Sequence, residues 1–270
     1  MRVTSSRHEI DIDFRRDPLT GPALHDVLAR ARSSAGLPRA LLHGQPAFLV
    51  TRFADLRAFF MAHEDFPGGL TYRFEIEPVV GRTFISMDGA EHNRWRQLAM
   101  PAFRSAAVGR FVESDLRPLA NEVVDRFADR GEGDLVADLA AVLPFWAISR
   151  KLGLPIGSEE RQRRWALALL SHPADPAASA AASAEVTAFL EPIVAARRAE
   201  PTEDVISHLL AGFDDDEVFA HVRLLYAVGA TTTSDAMSNL LWALLTADGR
   251  VERAVAEPDL RPRIVHELLR

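Results

Sequence analysis

The sequence predicts a mainly α fold with one long central helix and a small β element near the N-terminus. Three observations point there. Residues 214–247 place Leu224, Leu225, Val228, Met237, Leu240, Leu241, Leu244 and Leu245 at steps of three and four with no intervening proline, a helical period. The stretch is apolar on more than one side, which marks a central helix. From Asp88 onward, capping residues and glycine breaks divide the chain into successive helical stretches. Paired strand-like segments with turn residues between them fall at residues 40–51.

Taken in order, Arg15 to Pro22 is turn-rich, and Gly21-Pro22 opens a first helix carrying Leu24, Val27, Leu28 and Ala31. Gly36-Leu37-Pro38 ends it. Ala40–His43 and Ala47–Thr51, separated by Gly44-Gln45-Pro46, read as a β-hairpin. Phe53 to Met61 reads as a helix. Residues 64–87 contain Pro67, Gly68, Gly69, Pro78 and Gly81 and are expected to form a long loop, of the kind that is usually functional. Asp88 with Glu91 three residues on is a capping box for a helix to about Phe103. Further helices are expected over 106–130, 138–152, 158–171, 177–199 and 203–211, with a brief strand at Leu135–Val136. Two more follow the central helix, at 249–256 and 259–270. No linker or repeat divides residues 1–270, so a single domain is expected.

Composition narrows the function. The chain has 270 residues, 48% of them apolar, a formal charge of −7 and no cysteine. That apolar share suffices for a substantial core. The acidic balance and the lack of a Lys/Arg stripe argue against a nucleic-acid binder. Without cysteine there is no disulfide, thiolate metal site or cysteine nucleophile in these residues. No apolar stretch has signal-peptide character or reaches the roughly 18 residues of a membrane span, so a cytoplasmic protein is expected.

The central helix contains a run that a buried helix should avoid: Gly229, Ala230, Thr231, Thr232, Thr233 and Ser234. Glycine and the β-branched threonines cost about 0.5–1 kcal/mol each relative to alanine, and their hydroxyls can loosen the ladder. Either something flat or bulky approaches the backbone at Gly229, or the run is a close helix–helix crossing. His92 and Arg96, four apart, point the same way on a helix and could clamp a carboxylate or phosphate, or could simply be solvated. Glu267 and Arg270, three apart, read alone as a surface pair. Asp214–Glu217 suggests either a hard cation or a capped helix start, and the second suffices. Arg94, Arg104, Arg110, Arg161, Arg163 and Arg164 read as solvated faces, and Trp95, Trp146, Trp165 and Trp242 as core or half-buried packing.

In this order, the stretches SMDGAEHNRWRQLAMPAF (86–103), LLYAVGATTTSDAMSNLLWALL (224–245) and EPDLRPRIVHELLR (257–270) resemble the cytochrome P450 superfamily in its soluble bacterial form. The opening helix, hairpin and second helix look like that family too. The resemblance implies a P450-like helical fold, truncated after the Glu-x-x-Arg motif, and a haem monooxygenase of bacterial secondary metabolism using haem b. It implies His92 and Arg96 on the haem propionates, Gly229 over the haem face, and Thr232 at oxygen activation and proton delivery. The family usually has an acid where this chain has Thr231, so Asp235, one turn on, is the candidate substitute. Glu267 and Arg270 match the structural Glu-x-x-Arg pair. Residues 64–87 and the 171–178 turn match substrate-contacting segments, which nominates Phe74, Phe84, Ile85 and Leu225 as the lining of an apolar pocket.

The implied partners are a small or medium apolar substrate, O2 and a ferredoxin-type donor that could dock on Arg94, Arg104 and Arg110. The family's cysteine ligand has no counterpart here, and without the thiolate push, oxygen activation of this kind should fail. The alternative is a haemless P450-like auxiliary that binds and stabilises a partner such as a glycosyltransferase. With the remainder of the family's fold absent, the central helix is expected to show apolar surface.

Overall fold

The structure is a computed structural model that describes residues 9–17, 19–157 and 159–268. Residues 1–71 and residues 72–270 form two compact units.

In the first unit, a three-stranded sheet is ordered β1 (Glu9–Asp13), β2 (Arg39–Leu42) and β3 (Gln45–Phe48). β1 runs parallel to β2, and β2 antiparallel to β3. α1 (Gly21–Ser33) makes the crossover between β1 and β2. It starts with Pro22 in its first turn and buries Val27 and Ala31. The hairpin turn falls at His43-Gly44, both with positive φ, as a tight right-twisting hairpin requires. Asp13 fixes this corner: its carboxylate accepts from the backbone N–H groups of His43 and Gly44. The expected hairpin is therefore present with its turn shifted toward the N-terminus, and Pro46 lies in an edge strand, where proline is tolerated. β1 was not expected. α2 (Phe53–Met61) matches its expected bounds and buries none of its residues.

The second unit is helical. The long loop expected over 64–87 is instead largely folded. α3 (Gly69–Glu75), α4 (Glu77–Val80) and a 3₁₀ turn at Phe84–Ser86 occupy it. Pro78 sits in the first turn of α4, a position that suits proline, so it starts an element here where it was read as breaking one.

α5 (Gly89–Ala99) continues into a 3₁₀ turn at Met100–Phe103. Asp88 holds the N-cap position but makes no side-chain capping bond. It faces Arg73 at 3.4 Å, while Glu91 pairs with Arg82 at 2.7 Å; ion pairs have replaced the expected capping box. α6 (Ser105–Phe111), a π turn at Val112–Leu116 and α7 (Arg117–Ala128) form one continuous helical run. The strand expected at Leu135–Val136 is a π-helical turn, Leu135–Ala140, because Asp134 accepts from the N–H groups of Val136 and Ala137 and so nucleates a helix. α8 (Leu143–Leu152), α9 (Glu159–Leu169), α10 (Pro176–Ala199) and α11 (Val205–Leu210) follow.

α12 (Asp215–Leu245) is the central helix, 31 residues long. Asp214 and Glu217 form a reciprocal capping box at its start, which accounts for the acidic run. No group of three or more His, Asp or Glu suited to a metal occurs among the described residues. α13 (Arg250–Ala256) and α14 (Arg261–Leu268) complete the chain. No described helix is long and apolar enough to cross a membrane.

The core forms where the first half of α12 meets α8, α9, α10 and α11. Val218, Val222, Tyr226, Ala227 and Ala230 are buried against Phe145, Leu152, Trp165, Leu169, Leu190 and Ile206. Trp146 and Trp165 are buried as expected, but Trp242 is 69% exposed. The described helices cover the first half of α12 and leave much of the second half to solvent. Arg161 is also more than a solvated charge, since its guanidinium lies over the rings of Trp165 and Phe189.

Gly153 ends α8 in the left-handed region, with φ of 87°. A Cβ there would lie 2.0 Å from a carboxylate oxygen of Asp204, which pairs with Arg197 and caps α11. Gly153→Ala is therefore expected to destabilise by at least about 1–3 kcal/mol from backbone strain alone. Denaturant unfolding monitored by circular dichroism checks this, and a midpoint equal to that of the wild type refutes it.

Candidate functional site

The candidate site is organised around α5, the turn before it, and the middle of α12. His92 and Arg96 lie one turn apart on α5. Nδ1 of His92 is 2.8 Å from the Phe84 carbonyl. A carbonyl can only accept, so Nδ1 carries a proton and Nε2 is left for another partner. Arg96 is exposed, and its guanidinium makes no hydrogen bond or ion pair with any described residue. A histidine oriented from behind thus stands beside an uncommitted guanidinium fork, an arrangement that suits carboxylates.

Behind α5, three aromatic rings pack around His221 of α12. Its imidazole stacks on Phe213 with centroids 4.6 Å apart, and it lies 5.4 Å from Phe84 and 5.5 Å from Trp95. It is fully buried. Its Nδ1 donates to the Glu217 carbonyl at 2.7 Å, while Nε2 has no partner. Burial holds this imidazole below its ordinary pKa, against the opposing effect of the Glu217 bond. Sequence reading missed His221. The available signal was a histidine and an arginine, Arg223, inside an otherwise apolar stretch of a central helix.

The Gly/Thr run stays helical. Thr231, Thr232 and Thr233 each donate to the carbonyl four residues back, at 2.9, 2.7 and 2.8 Å. Thr232 is exposed and Thr231 half-buried. Asp235, one turn on, is exposed. A Cβ at Gly229 would lie 3.0 Å from Cδ1 of Ile148 on α8, so the glycine permits a close approach of α8 to α12. Next to that crossing, Gly229, Thr233 and Met237 line an apolar cleft of about 440 Å³ with Phe111, Leu143 and Ile148.

The proposed apolar lining is distributed over several elements. Phe84 and Leu225 are half-buried and pack on the main core. Ile85 is half-buried beside Phe84, and Phe74 on α3 is 52% exposed. The 171–175 turn reaches the end of α3, where His172 Nδ1 donates to the Glu75 carbonyl at 3.0 Å. Glu267 of α14 lines a separate cleft of about 430 Å³ with Leu240 and Leu244 of α12 and Arg250 and Arg253 of α13. Arg270 lies outside the described residues.

No family model matches the chain. Nocardicin C N-oxygenase of Nocardia uniformis subsp. tsuyamanensis is 32% identical over 96% of this chain and 69% of its own length. Cytochrome P450 monooxygenase PikC of Streptomyces venezuelae is 28% identical over 96% of this chain and 63% of its own length. Three further relatives are spanned over 52% to 65% of their length. Among solved structures, cytochrome P450 CYP109Q5 from Chondromyces apiculatus superposes with a TM-score of 0.78 at 23% identity, covering 98% of this chain and 68% of that one.

The His221 cluster makes a pH-dependent prediction. The folded-state pKa is depressed below the value of about 6.5 expected in the unfolded chain. The unfolded state therefore takes up the proton first as pH falls. The His221 contribution is complete above about pH 6.5 and is lost as pH drops from there toward the folded-state pKa. His221→Phe should flatten the fall in melting temperature between pH 7 and pH 5 relative to the wild type. Parallel curves for the two proteins would refute it.

Proposed function

The chain belongs to the cytochrome P450 superfamily, and from that premise we propose that it serves haem-dependent oxygenation of a small or medium apolar organic molecule, using O2 and electrons from a ferredoxin-type donor. The observation that carries this reading is the His92–Arg96 pair. His92 is held by the Phe84 carbonyl and Arg96 has no partner among the described residues, so both fit the two propionates of a haem. The fit stops there. The 270 residues contain no cysteine, and a thiolate ligand is not among them. When bound, the haem would supply oxygen activation, with the protein contributing binding, orientation and proton handling.

Each remaining residue then has a defined task. Thr232 Oγ1, now donating to the Val228 carbonyl, is the hydroxyl proposed to hand on a proton. Thr231 stands where the family usually carries an acid, and Asp235 is the carboxylate one turn away. Phe74, Phe84, Ile85 and Leu225 would favour an apolar substrate. Exposed Arg94, Arg104 and Arg110 offer cationic side chains to an acidic electron donor, a long-range attraction that salt screens. Glu267 would serve the fold and not the chemistry. Relatives named as an N-oxygenase and a monooxygenase support the reaction class and leave the substrate of this chain open.

A second reading has one observation in its favour, the absence of cysteine. In it, the chain is a haemless auxiliary that stabilises a partner such as a glycosyltransferase.

Haem titration separates the two. The first reading expects a saturable Soret band on adding haemin, and His92→Ala or Arg96→Ala should each weaken binding about tenfold, the loss of one charge-assisted contact of about 1.4 kcal/mol. No uptake by the wild-type chain would sink the oxygenase reading for these residues and leave the auxiliary.

A further inference from the structure

The segment between α4 and α5 carries the site's most specific contacts, and it is held in place by a side chain with no assigned role. Arg223, on the buried half of α12, donates from Nε to the Val80 carbonyl at 3.1 Å. Its Nη1 donates to Ser183 Oγ at 3.0 Å and to Thr187 Oγ1 at 2.7 Å. Ser183 in turn donates to the Val79 carbonyl at 2.6 Å, and Thr187 donates to the Ser183 carbonyl at 2.8 Å. One guanidinium thus joins α4, α10 and α12. Val80 is fully buried. The following residue, Gly81, turns the chain with φ of 93° so close to α12 that a Cβ would come within 2.9 Å of Ala220. Five residues on, Arg73 Nε donates to the Ser86 carbonyl at 2.8 Å. The segment is pinned at both ends, and Phe84, the acceptor for His92, lies between the pins.

A merely stabilising residue would not have this chemistry. Arg223 is largely withdrawn from water, burial pulls its pKa down, and among the described residues it forms no salt bridge. All its acceptors are neutral. Desolvating such a charge costs stability that neutral acceptors return only in part. A packed apolar side chain would serve stability as well. What the guanidinium adds is a planar fork of donors with fixed directions, which can set the position of a backbone carbonyl.

We propose that Arg223 is a positioning residue: it fixes residues 80–86 against α12 and thereby places the Phe84 carbonyl that orients His92 and the Phe84–Ile85 wall of the site. This rests on the reading of His92 and that wall given above. The acting path is Arg223 to Val80, through Gly81 to Phe84, and from Phe84 to His92.

The test uses Arg223→Met and Arg223→Lys in the 270-residue chain. Hydrogen exchange is followed at Val79, Val80, Gly81, Ser86 and Met87, whose amides are bonded to carbonyls within residues 76–84. Arg223→Met should speed exchange at these amides at least tenfold while the α8 and α9 peptides keep their wild-type rates, and Arg223→Lys should recover part of the protection. In haemin titration, Arg223→Met should weaken binding several-fold in the wild-type background and have no further effect in His92→Ala, the non-additivity expected of a residue acting through another. Exchange within twofold of wild type at those five amides, or equal acceleration in α8 and α9, would overturn the proposal, as would full additivity with His92→Ala. If the wild type takes up no haem, the functional reading fails, and the exchange pattern alone decides whether Arg223 sets the segment.

Discussion

Burial of the first half of α12 is the constraint on which the rest of residues 72–270 depends. Val218, Val222, Leu224, Ala227 and Ala230 are almost entirely removed from water, at about 25 cal/mol for each Å² of apolar surface. A helix enclosed by α8, α9, α10 and α11 cannot shift by a residue without exposing that surface and re-aiming every side chain it carries. The side chains that organise the site take their positions from it. His221 supports the ring cluster behind α5, Arg223 holds the segment before α5, and Gly229 admits α8. The second half of the same helix has no such cover among the described residues, and Trp242 and Leu245 stand in solvent.

What could be read in advance follows from which forces are local. The bounds of α2 and α12, and the start of α10, were legible because they depend on apolar period, capping and proline placement. The capped start expected at Asp214–Glu217 is present, in the form of a reciprocal box between Asp214 and Glu217. The Asp88–Glu91 box did not form, although it has the same signature, because Arg73 and Arg82 compete for those carboxylates. Arg73 lies fifteen residues before Asp88 and Arg82 nine before Glu91. Nothing in a capping motif records that competition. Residues 64–87 failed as a loop for a related reason. Glycine and proline were counted as breakers, whereas in the folded chain Pro78 starts α4 and Gly81 ends it.

The site was legible in outline and not in its packing. A four-residue spacing put His92 and Arg96 on one face of α5, but it could not show that the Phe84 carbonyl would fix the imidazole. Of the two readings left open for Gly229, a close helix crossing is present, since Ile148 occupies the space a side chain would take. The threonine hydroxyls are satisfied by carbonyls of the same helix, a back-bonding that loosens the ladder slightly without breaking α12.

His221 and Arg223 show why an apolar helix with embedded polar residues should be searched first for positioning elements. His221 is fully buried and Arg223 half-buried, neither forms a salt bridge among the described residues, and each lowers stability relative to a well-packed hydrocarbon. Each is directional where a hydrocarbon is not. His221 donates its one N–H to the Glu217 carbonyl within α12 and presents its ring to Phe213, Trp95 and Phe84, so Trp95 of α5 packs on a ring whose orientation the central helix sets. Arg223 reaches outward to two neighbouring segments. A central helix made only of leucine and valine would bury as much surface, yet several placements of α5 and the 80–86 segment would then have similar energies. The polar groups narrow that set to the arrangement in which the Phe84 carbonyl meets the His92 imidazole.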